Sequence, residues 1–279
     1  MLSANKLKAR VSSVVVYAVL FAGAVIMLLP FYWTLITSIK VPSETMTFPI
    51  IWIPSKITSM WYSRAWHANF PIYYRNSTIV AVFVVLGNVF SSALAGFLFA
   101  KYDFPLKNVL FLVVLSTMMI PFAIVLIPTY MIVAVFLKLK DTIWAMIVPA
   151  LVSPFGIFLM RQFIQSIPDE LLDASRIDGA GDMRTFWQIV LPLCRPALSA
   201  LLIFQFIGIW NDFLWPLIVT DTDRSRTLPI GVALFSFLHW VQYNLVIAGS
   251  VLVMLPMVIF YFIFQRAFVE GIVLTGMKY

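Results

Sequence analysis

Ser166-Ile167-Pro168-Asp169-Glu170-Leu171-Leu172-Asp173-Ala174-Ser175-Arg176-Ile177-Asp178-Gly179-Ala180-Gly181 is a charged island in a chain that is 62% hydrophobic and only 11% charged. Ser166 followed three residues later by Asp169 resembles a capping box, and Pro168 suits a first helical turn. Asp169 and Glu170 complement the positive end of a helix dipole. Leu171, Leu172, Ser175 and Ile177 then give a short, partly apolar helix. Asp178-Gly179-Ala180-Gly181 breaks it, with glycine available for positive φ. A second short helix is expected from about Asp182 to Ile189, stopped by Pro192. The spacing predicts a helix-turn-helix outside the membrane, and ordering such a segment is worthwhile only if it packs against something.

On either side of this island the chain is apolar. Soluble domains are about 45–50% apolar and about 25% charged, and this chain of 279 residues, with a mean hydropathy of +0.98, lies far outside that range. A helix needs about 20 apolar residues to cross the hydrocarbon core. Six stretches qualify, at 14–37, 78–100, 109–136, 142–163, 197–219 and 245–264, with a non-spanning loop at 164–195. The expected fold is an all-α integral membrane protein, one transmembrane domain over 1–279. The basic start (Lys6, Lys8, Arg10) precedes an apolar run too long for a signal peptide, so the first helix is expected to be retained. Pro30, Pro121, Pro128, Pro149, Pro154, Pro216 and Pro256 fall within the spans. Kinks at such depths fit a bundle with an internal path better than a simple anchor. Gly87, Ser91, Ser92 and Gly96 form small-xxx-small pairs that let helices approach closely.

The net charge is +7, but its basic residues lie mostly in short segments between apolar runs, where they orient the chain in a bilayer. Lipid is therefore the expected partner and nucleic acid is not. With the N-terminus inside, eleven of the 19 Lys and Arg residues fall on the cytoplasmic side, which favours both termini in the cytoplasm. The outer loop from Lys40 to Arg75 carries Trp52, Trp61 and Trp66, suited to the membrane interface or to a docked protein. Cys194 cannot form an internal disulfide, being the one cysteine, and reads as an inert filler.

The spacing Asp173-Ala174-Ser175, then Gly179, then Ile189-Val190-Leu191-Pro192 resembles the Glu-Ala-Ala-x3-Gly-x9-Ile-x-Leu-Pro signature of ABC importer permeases, with Asp for Glu and Ser for the second Ala. The match lies between the fourth and fifth spans, where that family places it. The resemblance implies a type I importer permease fold and a coupling helix that seats in a cleft of an ATPase subunit. Asp173, Ala174, Ser175, Asp178, Gly179, Ala180, Ile189, Leu191 and Pro192 would carry that contact, and the glycine would be required because a side chain would clash at the turn. Arg176-Ile177-Asp178-Gly179-Ala180, Phe186-Trp187-Gln188-Ile189, Trp210-Asn211-Asp212-Phe213-Leu214-Trp215-Pro216 and the tail Gly271 to Lys278 resemble the carbohydrate branch, in particular the second maltose-permease-type subunit. That branch implies a heterodimer with a second homologous permease, an ATPase homodimer that binds the ATP and Mg, an extracytoplasmic solute-binding protein, and a bacterial inner-membrane location. It also implies that Gly276 and Lys278 reach the ATPase interface. The implied cargo is a di- or oligosaccharide, or a related solute such as glycerol phosphate.

Polar groups within spans are default site hypotheses. Asn88, Gln205, Trp210, Asn211 and Asp212 could line a hydrophilic route, since aromatic faces beside amides suit sugars. Alternatively, Asn211 and Asp212 cap a span kinked at Pro216. His67 and His239 lack metal-ligand spacing, and no metal or cofactor is expected in this chain. There is no P-loop, no Gly-x-Ser-x-Gly and no His-Glu-x-x-His, so the chain reads as a transport subunit rather than an enzyme. A secondary transporter would need a committed intramembrane acid, for which Asp212 is the one candidate. Asp221-Thr222-Asp223 is a weak metal-binding tripeptide of the kind a glycosyltransferase uses.

Overall fold

The computed structural model describes residues 2–237 and 243–276, and its side chains over 13–236 and 243–265. Every regular element among the described residues is helical, save one isolated bridge between Lys40 and Ile57. The chain divides into two compact units, Met1–Ala68 with Val232–Met254 and Asn69–Gly231 with Leu255–Tyr279.

The first unit contains α1 (Leu2–Ser38), α2 (Pro42–Thr45), α3 (Met60–His67) and the start of α15 (Tyr243–Gly276). Ser13–Ser38 within α1 and Tyr243–Gln265 within α15 are each long and apolar enough to span. The segment after α1 is organised by Lys40, which is fully buried. Its ammonium lies 4.0 Å from the Trp33 ring centroid and donates to the Ile51 carbonyl. The Lys40 carbonyl accepts from Trp61 Nε1 at 2.9 Å and from Asn244 Nδ2 at 3.2 Å. Of the three loop tryptophans, then, Trp61 belongs to the core while Trp52 and Trp66 stay exposed.

In the second unit, α4 (Phe70–Lys101) is an unbroken span. The third apolar stretch is broken: α5 (Lys107–Thr117) and α6 (Phe122–Tyr130), with the π-helical Met131–Phe136, meet at 98°. Pro121 lacks an N–H at that break and Pro128 removes another before the π turn. The fourth stretch is α7 (Trp144–Ala150) and α8 (Pro154–Gln165), together of spanning length. Pro154 opens α8, and Ser153 caps it by accepting from Gly156 N at 3.2 Å.

The small residues of α4 make its contact with α8. A Cβ on Gly96 would stand 2.7 Å from Met160 Cβ and 2.9 Å from the Arg161 nitrogen, and one on Gly156 would meet Ser92. The carbonyls freed where α7 ends are taken by α4: Asn88 Nδ2 donates to Ala150 O at 3.3 Å and Ser91 Oγ to Leu151 O at 2.8 Å. An apolar core of Val80, Val84, Met146, Ile147, Trp215 and Val219 fills one end of the bundle; Phe97, Met160, Ile164, Leu172, Phe186 and Leu201 fill the other.

Beyond α8 come α9 (Asp169–Ile177), α10 (Asp182–Thr185), a π turn (Phe186–Val190), α11 (Leu191–Leu193), α12 (Arg195–Trp210), α13 (Leu214–Val219) and α14 (Leu228–Phe237). α12 has 16 residues, about 24 Å, short of the roughly 30 Å hydrocarbon core, and α13 continues it after a break at Asn211–Phe213. The mostly apolar α14, ten residues long, lies in what the sequence presents as an outer loop. α14 approaches α4 so closely that a Cβ on Gly231 would fall 2.3 Å from the Tyr73 ring. Among the described residues four segments, α7–α8 counted as one, are long and apolar enough to span, or up to six if each bent pair is one crossing.

Candidate functional site

The segment 164–195 is positioned from its buried side. Leu172, Phe186, Val190 and Cys194 sink into the core formed by the ends of α4, α8 and α12. Ser175 is buried with them; its hydroxyl bonds to Thr185 Oγ1 at 2.8 Å and donates to Leu172 O, tying α9 to α10. Ser175 therefore occupies a polar niche, where alanine would leave Thr185 without this partner.

The entry to α9 differs from the capping box that the sequence resembles. Ser166 Oγ donates back to Phe163 O at 2.7 Å, because α8 ends there and leaves its last carbonyls free, and Pro168 takes the N-cap position without a side-chain bond. The anchor is Lys101 at the end of α4, whose buried ammonium pairs with Asp169 at 2.6 Å and also donates to Ile167 O. Hydrogen bonding and charge from Lys101 hold the Asp169 carboxyl below its ordinary range. In the sequence Lys101 counts only as an orientation charge, and the signal for this second role is its place at a helix end facing an acidic helix start.

The exit from α9 is a Schellman turn. Ala180 N bonds to Ser175 O at 2.9 Å, Gly179 N to Arg176 O at 3.0 Å, and Gly179 has φ +80°. The steric clash expected at this turn is absent within the chain: a Cβ on Gly179 would meet nothing within 4 Å. Glycine is needed here for its backbone conformation, and the space beside it is open. Around the turn the surface is apolar where solvent exposure would favour polar groups. Ile177 is 87% exposed and Met183 60%, although the sequence pattern assigns Ile177 to the apolar face of a helix. Asp173, Ala174 and Asp178 are exposed beside them, with Asp173 paired to Arg176 at 3.2 Å.

Ile189 and Leu191 are half-buried and Pro192 is exposed. Pro192 does not stop the helix, as its position within the α10–α11 run shows. The break falls at Cys194, followed by a 79° bend into α12. Pro196 has no N–H for the carbonyl four residues earlier, which forces the bend there.

The candidate path residues are not gathered in one place. Asn88 is buried, and its amide serves the break between α7 and α8. Gln205 is half-buried, and Asn211 Nδ2 donates to its own helix at Ile207 O, 2.9 Å away. Asp212 lies at the break between α12 and α13, one residue before the N-cap position of α13 at Phe213. Trp210 is buried, stacks on Phe206 at 5.4 Å, and borders an apolar cleft of about 300 Å³ with Val82, Leu86 and Phe260. Gly276 ends α15, whereas Lys278 and His239 lie outside the described residues. No cluster of metal-binding side chains occurs among the described residues.

Comparisons with known proteins place this architecture. The family model described as "Binding-protein-dependent transport system inner membrane component" matches residues 87–273, which include the whole α9–α11 segment. The arabinooligosaccharides transport system permease protein of Halalkalibacterium halodurans is 39% identical over 206 residues, 74% of each chain. The sn-glycerol-3-phosphate transport system permease protein of Yersinia pestis is 33% identical over 266 residues, 92% of this chain and 94% of that one. A chain in the crystal structure of a bacterial ABC transporter involved in the import of the acidic polysaccharide alginate shares the fold. It superposes with a TM-score of 0.80 at 23% identity, covering 92% of this chain and 96% of that one. This chain therefore belongs to the family of binding-protein-dependent transport system inner membrane components, the multi-pass permease subunits of ABC importers.

Proposed function

We propose that the chain is the membrane-spanning half of an ATP-driven importer for carbohydrates or closely related solutes, and that its exposed α9 turn is where an ATPase subunit docks. The observation that carries this reading is the apolar turn outside the spans: Ile177 and Met183 flank Gly179, which opens onto empty space. Exposed apolar groups on a rigidly anchored element mark a protein contact. The anchor is what lets such a contact move the bundle, because α9 is fixed through Lys101 to α4 and through Leu172 and Phe186 to the core.

In this reading both termini lie in the cytoplasm, on the side of α9. A homodimer of ATPase subunits holds the ATP and Mg, and this chain holds no cofactor. A second, homologous permease completes the channel, and an extracytoplasmic binding protein delivers the cargo. Relatives named for arabinooligosaccharides and for glycerol 3-phosphate support a carbohydrate-like cargo. Transport follows from differential affinity between inward- and outward-facing states, with the energy supplied at the ATPase.

The test is capture of partners by the tagged full-length chain, extracted from its native membrane in mild detergent. The unaltered chain is expected to bring down an ATPase and a second permease. Ile177→Asp and Gly179→Trp should lose the ATPase and keep the permease, while Gly179→Asn, which tolerates the left-handed conformation and places a small side chain in open space, should retain both. Capture of the ATPase by all four chains, or by none, would sink the assignment of this turn.

A further inference from the structure

A cleft of about 720 Å³ opens in the second unit between α4, the segment leading into α7, and the loop between α13 and α14; Arg75, Asn76, Asp141, Trp144, Thr222 and Arg224 line it. Two hubs, half-buried Asp141 and buried Asn76, build its walls. The Asp141 carboxylate accepts from the backbone nitrogens of Asp221 and Thr222 at 2.9 and 3.0 Å, from Thr222 Oγ1 at 2.8 Å, and from Ser225 Oγ. Asn76, 1% exposed, donates through Nδ2 to the carbonyls of Arg224 and Arg226, both at 2.9 Å, and accepts from Arg75 Nη2 at 3.1 Å. The loop backbone, the Arg75 guanidinium and α4 are therefore held in place before anything binds.

The neighbouring charges divide unevenly. Lys140 is paired with Asp221 and Arg226 with Asp223, each at 2.8 Å. Arg75 and Arg224 form no ion pair among the described residues, and both border the cleft. Trp144 lines the same cleft, half exposed, its ring in edge contact with Phe83 at 6.0 Å. Guanidinium groups match carboxylate and phosphate oxygens two at a time, and an aromatic face accepts the CH face of a sugar ring.

We propose that this cleft is a subsite for an anionic carbohydrate, its carboxylate or phosphate held by Arg75 and Arg224 and its ring laid against Trp144. The inference rests on the carbohydrate-importer reading and narrows its cargo to acidic or phosphorylated sugars. An acidic segment of a docking protein is the competing occupant. The concave volume, in the range of small-molecule sites, and the presented ring face favour the sugar.

The test is calorimetric titration of the purified full-length chain in lipid nanodiscs with digalacturonate, glucose 6-phosphate and, as the neutral reference, cellobiose. At least one anion should bind about tenfold or more tighter than cellobiose, and which one does so separates carboxylate from phosphate. Arg75→Gln and Arg224→Gln should each weaken that anion by about tenfold or more while thermal unfolding stays unchanged, and Arg→Lys should restore part of it. Trp144→Ala should weaken charged and neutral sugars alike. Absence of binding, equal binding of anion and cellobiose, or indifference to both arginines would overturn the proposal. So would arginine variants that keep sugar binding but lose the solute-binding protein, since the cleft would then be a protein contact. No ATPase is needed, so failure here leaves partner capture by the α9 turn intact, and failure of that capture leaves this titration readable.

Discussion

At the scale of single residues, Gly96 and Asp141 carry opposite kinds of dependence. Gly96 faces backbone, so Gly96→Leu should destabilise the second unit by about 1–3 kcal/mol through overpacking, while Gly208→Ala, with nothing within 4 Å, should be close to neutral; thermal unfolding in detergent reads both. Burial acts to raise the Asp141 pKa, but the Ser225 hydroxyl, the Thr222 and Asp221 N–H groups and the Thr222 hydroxyl outweigh it and hold the carboxyl well below its ordinary 3.8. A carboxyl depressed in the folded state adds stability that is present above its unfolded value and is lost as pH falls from there through the folded one. Protection of the Asp221 and Thr222 amides from hydrogen exchange should accordingly hold at neutral pH and decline below the ordinary carboxylate range. Asp141→Asn keeps a residue suited to φ +59° and should lose about 1–2 kcal/mol of that protection at neutral pH. Gly179 was legible because its conformational need is local. Asp141 was not, since its partners lie about eighty positions away in a loop that nothing in the sequence pairs with it.

Among the elements, α9 shows how much a short amphipathic pattern determines and where it stops. Leu172 and Ser175 point inward, three-residue spacing and core agreeing, yet Ile177 at the helix end has turned to solvent. Its entry was misread because Ser166 had a nearer acceptor in the last turn of α8. Lys101 is therefore the residue to remove: Lys101→Met should raise hydrogen exchange through Asp169–Leu172 and leave the Ala180–Ser175 bond at the far end protected. Equal exchange at the two ends would show that Lys101 does not anchor the entry. α14 escaped notice for a different reason. Ten mostly apolar residues are too few to span and show no clear polar face, so the sequence gives no sign of the close packing on α4 at Gly231.

For the molecule as a whole, the apolar composition and the helical class were plain from the sequence, since about 20-residue apolar runs have one solution in a bilayer. The breaks were not, because a proline marks where a hydrogen bond is lost and says nothing of the angle that follows. Orientation is tested with an impermeant maleimide on intact cells: Ser55→Cys should label from outside and Met183→Cys only after permeabilisation, while Cys194, fully buried, should stay dark. The reverse pattern would invert the topology. The glycine and serine contact between α4 and α8 bears on motion. Backbones that touch cannot slide without unpacking, so this pair should travel as one stiff lever, and bending should fall to the breaks at Met118–Pro121 and Asn211–Phe213. Spin labels at Leu98 and Gln162 should then keep a single separation with and without nucleotide in the assembled transporter, however far the rest of the bundle swings.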